Sequence, residues 1–283
     1  MEKNSCAYHV LSKKDTLRFR SIVLDNLMKS ASLSAAESDE YDGIGRLAEK
    51  QMHSALKTFI CPDEKYHEIT IQGSPLYIPS DEENPKKRKY VADILRDNTI
   101  YEIQTGSFAP LRDKIKWILE HTSYHVVVIH PIAETKWISK IDKSGKISGR
   151  RRSPVHGRVE DIASELYYFT EFLSSPRFSL MIIMMEAEQY VRAGEKRGRR
   201  LKKYELIPVS LIGAYTFASP EDYSYFLPNS LPDTFTVKEY SAHARIYGMD
   251  AYSITKTLCA LGLISETDKI GRARAYKIKK DCE

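Results

Sequence analysis

"VADILRDNTIYEIQTGSFAPLRDKIKWIL", residues 91–119, is the stretch on which the fold turns. Its first part carries Val91, Ala92 and Ile94 around Asp93, and Asp97-Asn98 follows as a turn signal. Asn and Asp tolerate the left-handed backbone that a tight hairpin needs. "TIYEIQT" (99–105) then reads as a second strand hairpinned to the first. A strand alternates faces with period two, so Glu102 and Gln104 share one face. Pro110 suits the first turn of a helix, and Leu111, Ile115 and Ile118 follow at helical spacing.

Working outward, Ile44, Leu47, Ala48, Met52, Ala55 and Phe59 predict an amphipathic helix over 44–59, ended by Cys61-Pro62-Asp63. "YHEITIQG" (66–73) alternates like a strand, and "YHVVVIHPI" (124–132) reads as a buried one. The order is α-β-β-β-α-β. Beyond it, 136–149 predicts a hairpin, 157–173 a helix and 177–190 a further buried strand around "FSLMIIMM". Towards the N-terminus, 14–30 predicts a helix and 30–43 a polar linker.

With 283 residues, 42% of them apolar, the chain can bury a substantial core. The net charge of +5 permits a polyanionic partner without requiring one. Cys6, Cys61, Cys259 and Cys282 form no CxxC pair, which argues against a cysteine zinc site and a disulfide framework and fits a reducing, cytoplasmic setting. No apolar run approaches the roughly 18 residues of a membrane span. There is no signal-peptide core, P-loop, dinucleotide fingerprint or Ser/His/Asp triad.

The hairpin places two carboxylates near one another, with eight residues between Asp93 and Glu102. Such a pair repels itself and suffers desolvation unless a cation intervenes. Hard oxygen donors of this kind suit Mg²⁺ or Mn²⁺, which bind through few carboxylates plus waters and phosphate. The alternative is a solvated acidic pair on an exposed face.

An α-β-β-β-α-β order with Asp93 and then Glu102-Ile103-Gln104 resembles the PD-(D/E)XK nuclease superfamily, the restriction-endonuclease-like fold, over roughly 44–210. The stretch 91–119 also resembles a group of bacterial proteins that share this core. The resemblance implies a metal-dependent DNA endonuclease in which Asp93 and Glu102 bind Mg²⁺ (or Mn²⁺) and Glu49, on the preceding helix, assists. The family's usual third residue is Lys, where this chain has Gln104. Gln can still order a water, and some restriction enzymes resembling this pattern carry Gln and remain active. Lys114, on the next helix, is the candidate for a displaced cation, with Arg112 as second choice. A retained fold that has lost catalysis is the competing reading. His53 reads as surface or supporting, Glu68 as a weak candidate from the first strand, and Ser107 as a helix cap.

Residues 235–279 differ in character. Val237, Tyr240, Ser241 and Ala244 form one helical face, Gly248 and Asp250 a turn, and Ile254, Leu258 and Leu261 a second face closed by Gly262. "LISETDKIGRARAYKI" then alternates like a two-stranded wing. This resembles a winged helix-turn-helix. Its second helix is expected to expose Tyr252, Ser253, Thr255 and Lys256, and its wing offers Lys269, Arg272 and Arg274 to DNA. Docking of a protein is the alternative. Basic runs at 86–89, 143–152 and 192–203 read as solvated loops, or as phosphate-tracking segments beside a nuclease core.

The expected organisation is therefore α/β: an N-terminal helical and linker segment (1–42), a restriction-endonuclease-like αβββαβ domain (43–215) and a winged-helix domain (232–283). The expected partner is DNA, with a second copy of the chain left open and no membrane.

Overall fold

The computed structural model describes residues 7–34, 44–75, 89–142, 146–192 and 202–279. In chain order the elements are β1 (Ala7–Val10), α1 (Lys13–Ser34), α2 (Ile44–Ile60), β2 (His67–Thr70), β3 (Val91–Arg96), β4 (Thr99–Ile103), α3 (Arg112–His121), β5 (His125–Ile141), β6 (Ile147–Arg152), α4 (Ala163–Phe169), β7 (Phe178–Arg192), β8 (Lys202–Phe217), β9 (Thr234–Thr236), α5 (Val237–Ala244), α6 (Met249–Ala260), β10 (Ile264–Ile270) and β11 (Ala273–Ile278). The protein is mixed α/β, built on an eight-stranded sheet of order β1-β8-β7-β5-β4-β3-β2, with β6 paired to β5 off that path.

The β3–β4 hairpin forms as its turn chemistry predicts. Asp97 and Asn98 both take positive φ, 50° and 59°, the backbone of a two-residue hairpin turn. Arg96 pairs with Thr99 and Ile94 with Tyr101. β2 pairs antiparallel with β3. α3 then carries the chain across to β5, which runs parallel to β4, and α4 leads to β7, parallel to β5.

Helices cover both faces. On one, Phe19 and Val23 of α1 and Met52, Ala55 and Leu56 of α2 pack on Ile103, Val127, Ile129, Ile183 and Met185. On the other, Ile115 and Ile118 of α3 and Leu166 and Phe169 of α4 pack on Val126, Val128, Phe178 and Ile182. Each large apolar side chain buried this way contributes about 1.5–3 kcal/mol. The second core continues without a break into Phe235, Tyr240, Ile254 and Leu258 of the C-terminal module. α6 lies against α4, where Thr170 and Thr257 join hydroxyls at 3.3 Å. Residues 218–232 carry buried Tyr223, Phe226 and Leu231 into that junction.

The strand expected at 124–132 runs on to Ile141 and takes in the first arm of the hairpin expected at 136–149, and the helix expected over 157–173 is α-helical over Ala163–Phe169. Three further features differ from the sequence reading. The helix expected over 14–30 runs on to Ser34, into the segment read as linker. The N-terminal segment also adds β1 to the sheet, antiparallel to β8. β8 itself is a 16-residue strand without a counterpart in the sequence reading. Residues 35–43, 86–88, 143–145 and 193–201 lie outside the described residues, as do Cys6 and Cys282, and with them most of the 192–203 basic run.

Candidate functional site

The hairpin register sets Ile94 opposite Tyr101, and one further step brings Asp93 to the level of Glu102. There the Asp93 carboxylate takes over from the backbone ladder: its Oδ2 accepts the Ile103 N–H at 2.8 Å. The same oxygen meets His53 Nε2 of α2 at 2.9 Å. Glu102 reaches the other helix layer. Its Oε2 accepts from Lys114 Nζ of α3 at 2.6 Å, and Lys114 also donates to the Val91 carbonyl at 2.6 Å. α2, on one face of the sheet, thus holds Asp93, and α3, on the other, holds Glu102. Lys114 is held there because it flanks the buried Ile115–Ile118 face of α3.

The electrostatics follow from burial. Glu102 is only 4% exposed. Desolvation pushes its carboxyl up to about 7, Lys114 opposes the rise, and the charge of Asp93 adds to it. At Asp93, burial also pushes upward, but the His53 hydrogen bond and charge, the Ile103 amide and Lys114 together outweigh it and hold the carboxyl below its usual value. Glu102 Oε1 is buried without a hydrogen-bond partner. An orphaned carboxylate oxygen in a dry site is costly unless something else occupies it.

Gln104 lies one step beyond β4. Its backbone N–H donates to Ile129 O at 2.9 Å, and its side-chain Nε2 donates to the Ser107 carbonyl. His130 Nδ1 donates to the Gln104 carbonyl at 2.6 Å; burial lowers the His130 pKa. Ser107, expected as a helix cap, accepts the Ala109 N–H on its hydroxyl at 3.4 Å, at the start of the turn that leads into α3; the same hydroxyl donates to Glu165 of α4 at 3.0 Å, and that carboxylate also takes the Phe108 N–H at 2.7 Å. Arg112 pairs with Glu171 at 2.6 Å, away from the carboxylates. Glu68 is at the surface, paired with Lys57. Glu49 lies on α2, but its side chain falls outside the described residues.

His53, expected as surface or supporting, supports Asp93 directly and sits one turn from Glu49 on the same helix. His130 and Glu165 carried no local signal, because their partners lie 26 and 57 or 58 residues away. Among the described residues no group of three or more His, Cys, Asp or Glu side chains is placed to hold a metal ion. What the site offers an ion is two carboxylates, one with a free buried oxygen.

In the C-terminal module, Tyr252 and Lys256 are exposed on α6, with Lys256 Nζ 5.9 Å from the Tyr167 ring of α4. Lys269, Arg272 and Arg274 are exposed on the β10–β11 hairpin, where Arg274 approaches Glu266 at 3.8 Å. Thr255 corrects the sequence reading: it is 1% exposed, and its hydroxyl donates to the Ala251 carbonyl at 2.5 Å.

A mixed α/β sheet with a buried carboxylate–lysine cluster at the end of a central strand is thus the class that fold and site define. Residues 50–217 match the family described as Domain of unknown function (DUF8091), and the chain belongs to that family. The matched span runs from α2 through β8, so it holds the whole cluster and ends before the C-terminal module. An uncharacterized protein of Treponema pallidum (strain Nichols) is 23% identical over 239 residues, covering 83% of this chain and 87% of that protein. No solved structure matches the chain. Among the described residues, no helix is long and apolar enough to cross a membrane.

Proposed function

We propose that this chain is a Mg²⁺-dependent phosphodiesterase acting on DNA, with a restriction-endonuclease-like core and a C-terminal winged helix. The observation that carries the reading is the placing of Asp93 and Glu102 on the adjacent antiparallel strands β3 and β4, near enough for the Asp93 charge to push Glu102 upward, with Lys114 on Glu102 and Glu102 Oε1 unpartnered. The α2-β2-β3-β4-α3-β5 order supports the core. The α5-α6-β10-β11 order, with exposed cations on the hairpin, supports the winged helix.

Asp93 and Glu102 fit a hard divalent ion, because Mg²⁺ is satisfied by one or two carboxylates with water and substrate phosphate. Bound there, it would supply Lewis acidity and an activated water. The chain's own residues do the rest. The Ile103 N–H and His53 fix the Asp93 carboxylate. Lys114 offers a positive charge beside Glu102, where a phosphate would gain negative charge in its transition state. Burial keeps the cluster dry enough for that charge to act strongly.

A second reading, a non-catalytic DNA-binding protein with a degenerate core, has one observation in its favour. Gln104 replaces the usual lysine, and its amide nitrogen is already bonded to Ser107. Calorimetric Mg²⁺ titration with plasmid cleavage tests the two. The hydrolase reading expects Mg²⁺ binding and nicking that Asp93→Ala and Glu102→Ala each lower by on the order of a hundredfold or more, with DNA affinity retained. DNA binding without Mg²⁺ binding or nicking would favour the second reading.

A further inference from the structure

β5 has two edges, and the unequal way they are used points to a second contact surface. One edge pairs with β7 from Val126 to Ile141. The other pairs with β4 over His125–Ile129 and, further on, with β6 over Trp137–Ile141. β6 therefore continues the line of β4 past the strand end that carries Glu102 and Gln104. Between them the backbone stays on the same edge: Ser153 N–H donates to Lys136 O at 2.8 Å and Gly157 N–H to Ala133 O at 3.1 Å.

All six residues of β6 are exposed, and Arg150, Arg151 and Arg152 stand in succession. β6 has β5 as its one strand partner among the described residues, so its outer edge leaves backbone N–H groups unpaired. Arg150 lies over Trp137, its guanidinium carbon 4.1 Å from the ring centroid, and is held by Glu188 at 3.3 Å. Arg152 donates to Thr135 Oγ1 at 3.2 Å. Arg151 has no side-chain partner among the described residues, nor has Lys140, and both are exposed. Three arginines in succession on β6, two of them anchored, with Lys140 on the neighbouring β5, give this edge four cations that suit a polyanion with regularly spaced charges. Self-pairing of this edge with a second copy would set arginine against arginine, which disfavours it.

We infer that β6 is a phosphodiester-backbone contact for duplex DNA whose scissile phosphate lies at the Asp93–Glu102 site; the inference rests on the phosphodiesterase reading of that site. Glu102 sits opposite Val128 and Arg152 opposite Trp137, nine residues along β5. At about 3.3 Å per residue that is about 30 Å, or about nine base pairs of duplex. Substrates extending less than about that far on the β6 side of the cut miss the contact.

The test uses the full chain with a labelled 24-base-pair duplex, in fluorescence anisotropy at several salt concentrations without divalent ions. Two variants are compared: Arg150→Ala/Arg151→Ala/Arg152→Ala, and Lys140→Glu/Arg151→Glu, whose side chains hold nothing in place. Both should raise Kd about tenfold or more and flatten the log–log salt slope by about two units or more. In Mg²⁺-dependent cleavage, KM should rise with kcat unchanged, because a remote contact is made equally in ground and transition states. An unchanged Kd and slope in the Lys140→Glu/Arg151→Glu variant would overturn the inference. So would a loss confined to poly-glutamate binding, which marks an acidic protein partner, or a change in oligomeric state alone. Duplex binding lost in the variants of a wild type that never cleaves keeps β6 and sinks the hydrolase reading. Cleavage with β6 variants unaffected does the reverse.

Discussion

Lys114 Nζ lies 2.6 Å from both Glu102 Oε2 and the Val91 carbonyl, so one ammonium ties α3 to both strands of the β3–β4 hairpin. The bond decides how the buried carboxylate behaves. Glu102's folded-state pKa is raised from 4.5 to about 7 by burial even with Lys114 opposing the rise. A raised acid favours the fold below its unfolded value, and that contribution is lost as pH climbs through the folded value. Stability from Glu102 should therefore decline between pH 4.5 and about 7.

Removing the ammonium should expose this dependence. In Lys114→Ala the buried carboxylate loses its counter-charge, and its pKa rises further. At pH 5 Glu102 is already protonated, and the loss should be small. At pH 8.5 it must either ionise unpaired or take up a proton, and the loss should reach about 3 kcal/mol. Thermal melts at the two pH values check this; an equal drop in Tm at both would show that Glu102 does not depend on Lys114 for its charge. Glu102→Gln should flatten the slope in either background.

The same lysine has a kinetic signature. If Lys114 supplies the cation that Gln104 cannot, Lys114→Ala should lower kcat by about a hundredfold while leaving DNA affinity within a few fold. Gln104→Lys should be tolerated, because its present bond, to the Ser107 carbonyl, is one that a lysine can also donate. Single-turnover cleavage with parallel anisotropy separates the two effects. A fully active Lys114→Ala beside an inactive Gln104→Ala would move the role to Gln104.

The C-terminal module allows a separate measurement. Lys256, Arg272 and Arg274 are exposed and lie off the buried Ile254–Leu258 face. Replacing all three with Ala should keep the fold and flatten the log–log salt dependence of duplex binding by about one unit per lost phosphate contact. Metal affinity at Asp93 and Glu102 should not change. An unmoved slope would give this face to a protein partner.

The hairpin and its carboxylates were legible because their signals are local: Asp97-Asn98 writes the turn, and period two writes the faces. Lys114 was legible from its place beside an apolar helical face. β8 was not, because Pro208 and Gly213 interrupt it as loop residues do. Both lie at register shifts against β7, where a bulged ladder admits them. Thr255 misled because its hydroxyl reads as a polar face, and nothing local announces the packing that buries it. The His53–Asp93 pair joins residues 40 apart, a proximity made by the packing of α2 on the sheet.

Gly157 supplies the last prediction, because it fixes how closely the chain beyond β6 follows β5. A Cβ built there would lie 2.6 Å from the Ala133 carbonyl oxygen and 2.6 Å from Ile132 Cγ2. The oxygen is backbone in a paired strand and also accepts the Gly157 N–H, so it cannot swing aside as a side-chain tip would. Gly157→Ala should therefore cost about 1–3 kcal/mol, as overpacking does in a close-packed interior. The strain should appear first as loosening of 153–157 from β5, before global unfolding. Hydrogen exchange at the Ser153 and Gly157 amides reads it directly: both should lose protection while the Ile103 and Gln104 amides keep theirs. Because the shift would carry Arg152 with it, duplex affinity should fall together with that protection. Full protection at Ser153 and Gly157 in the alanine variant would show that the β5 edge can yield where the close approach says it cannot.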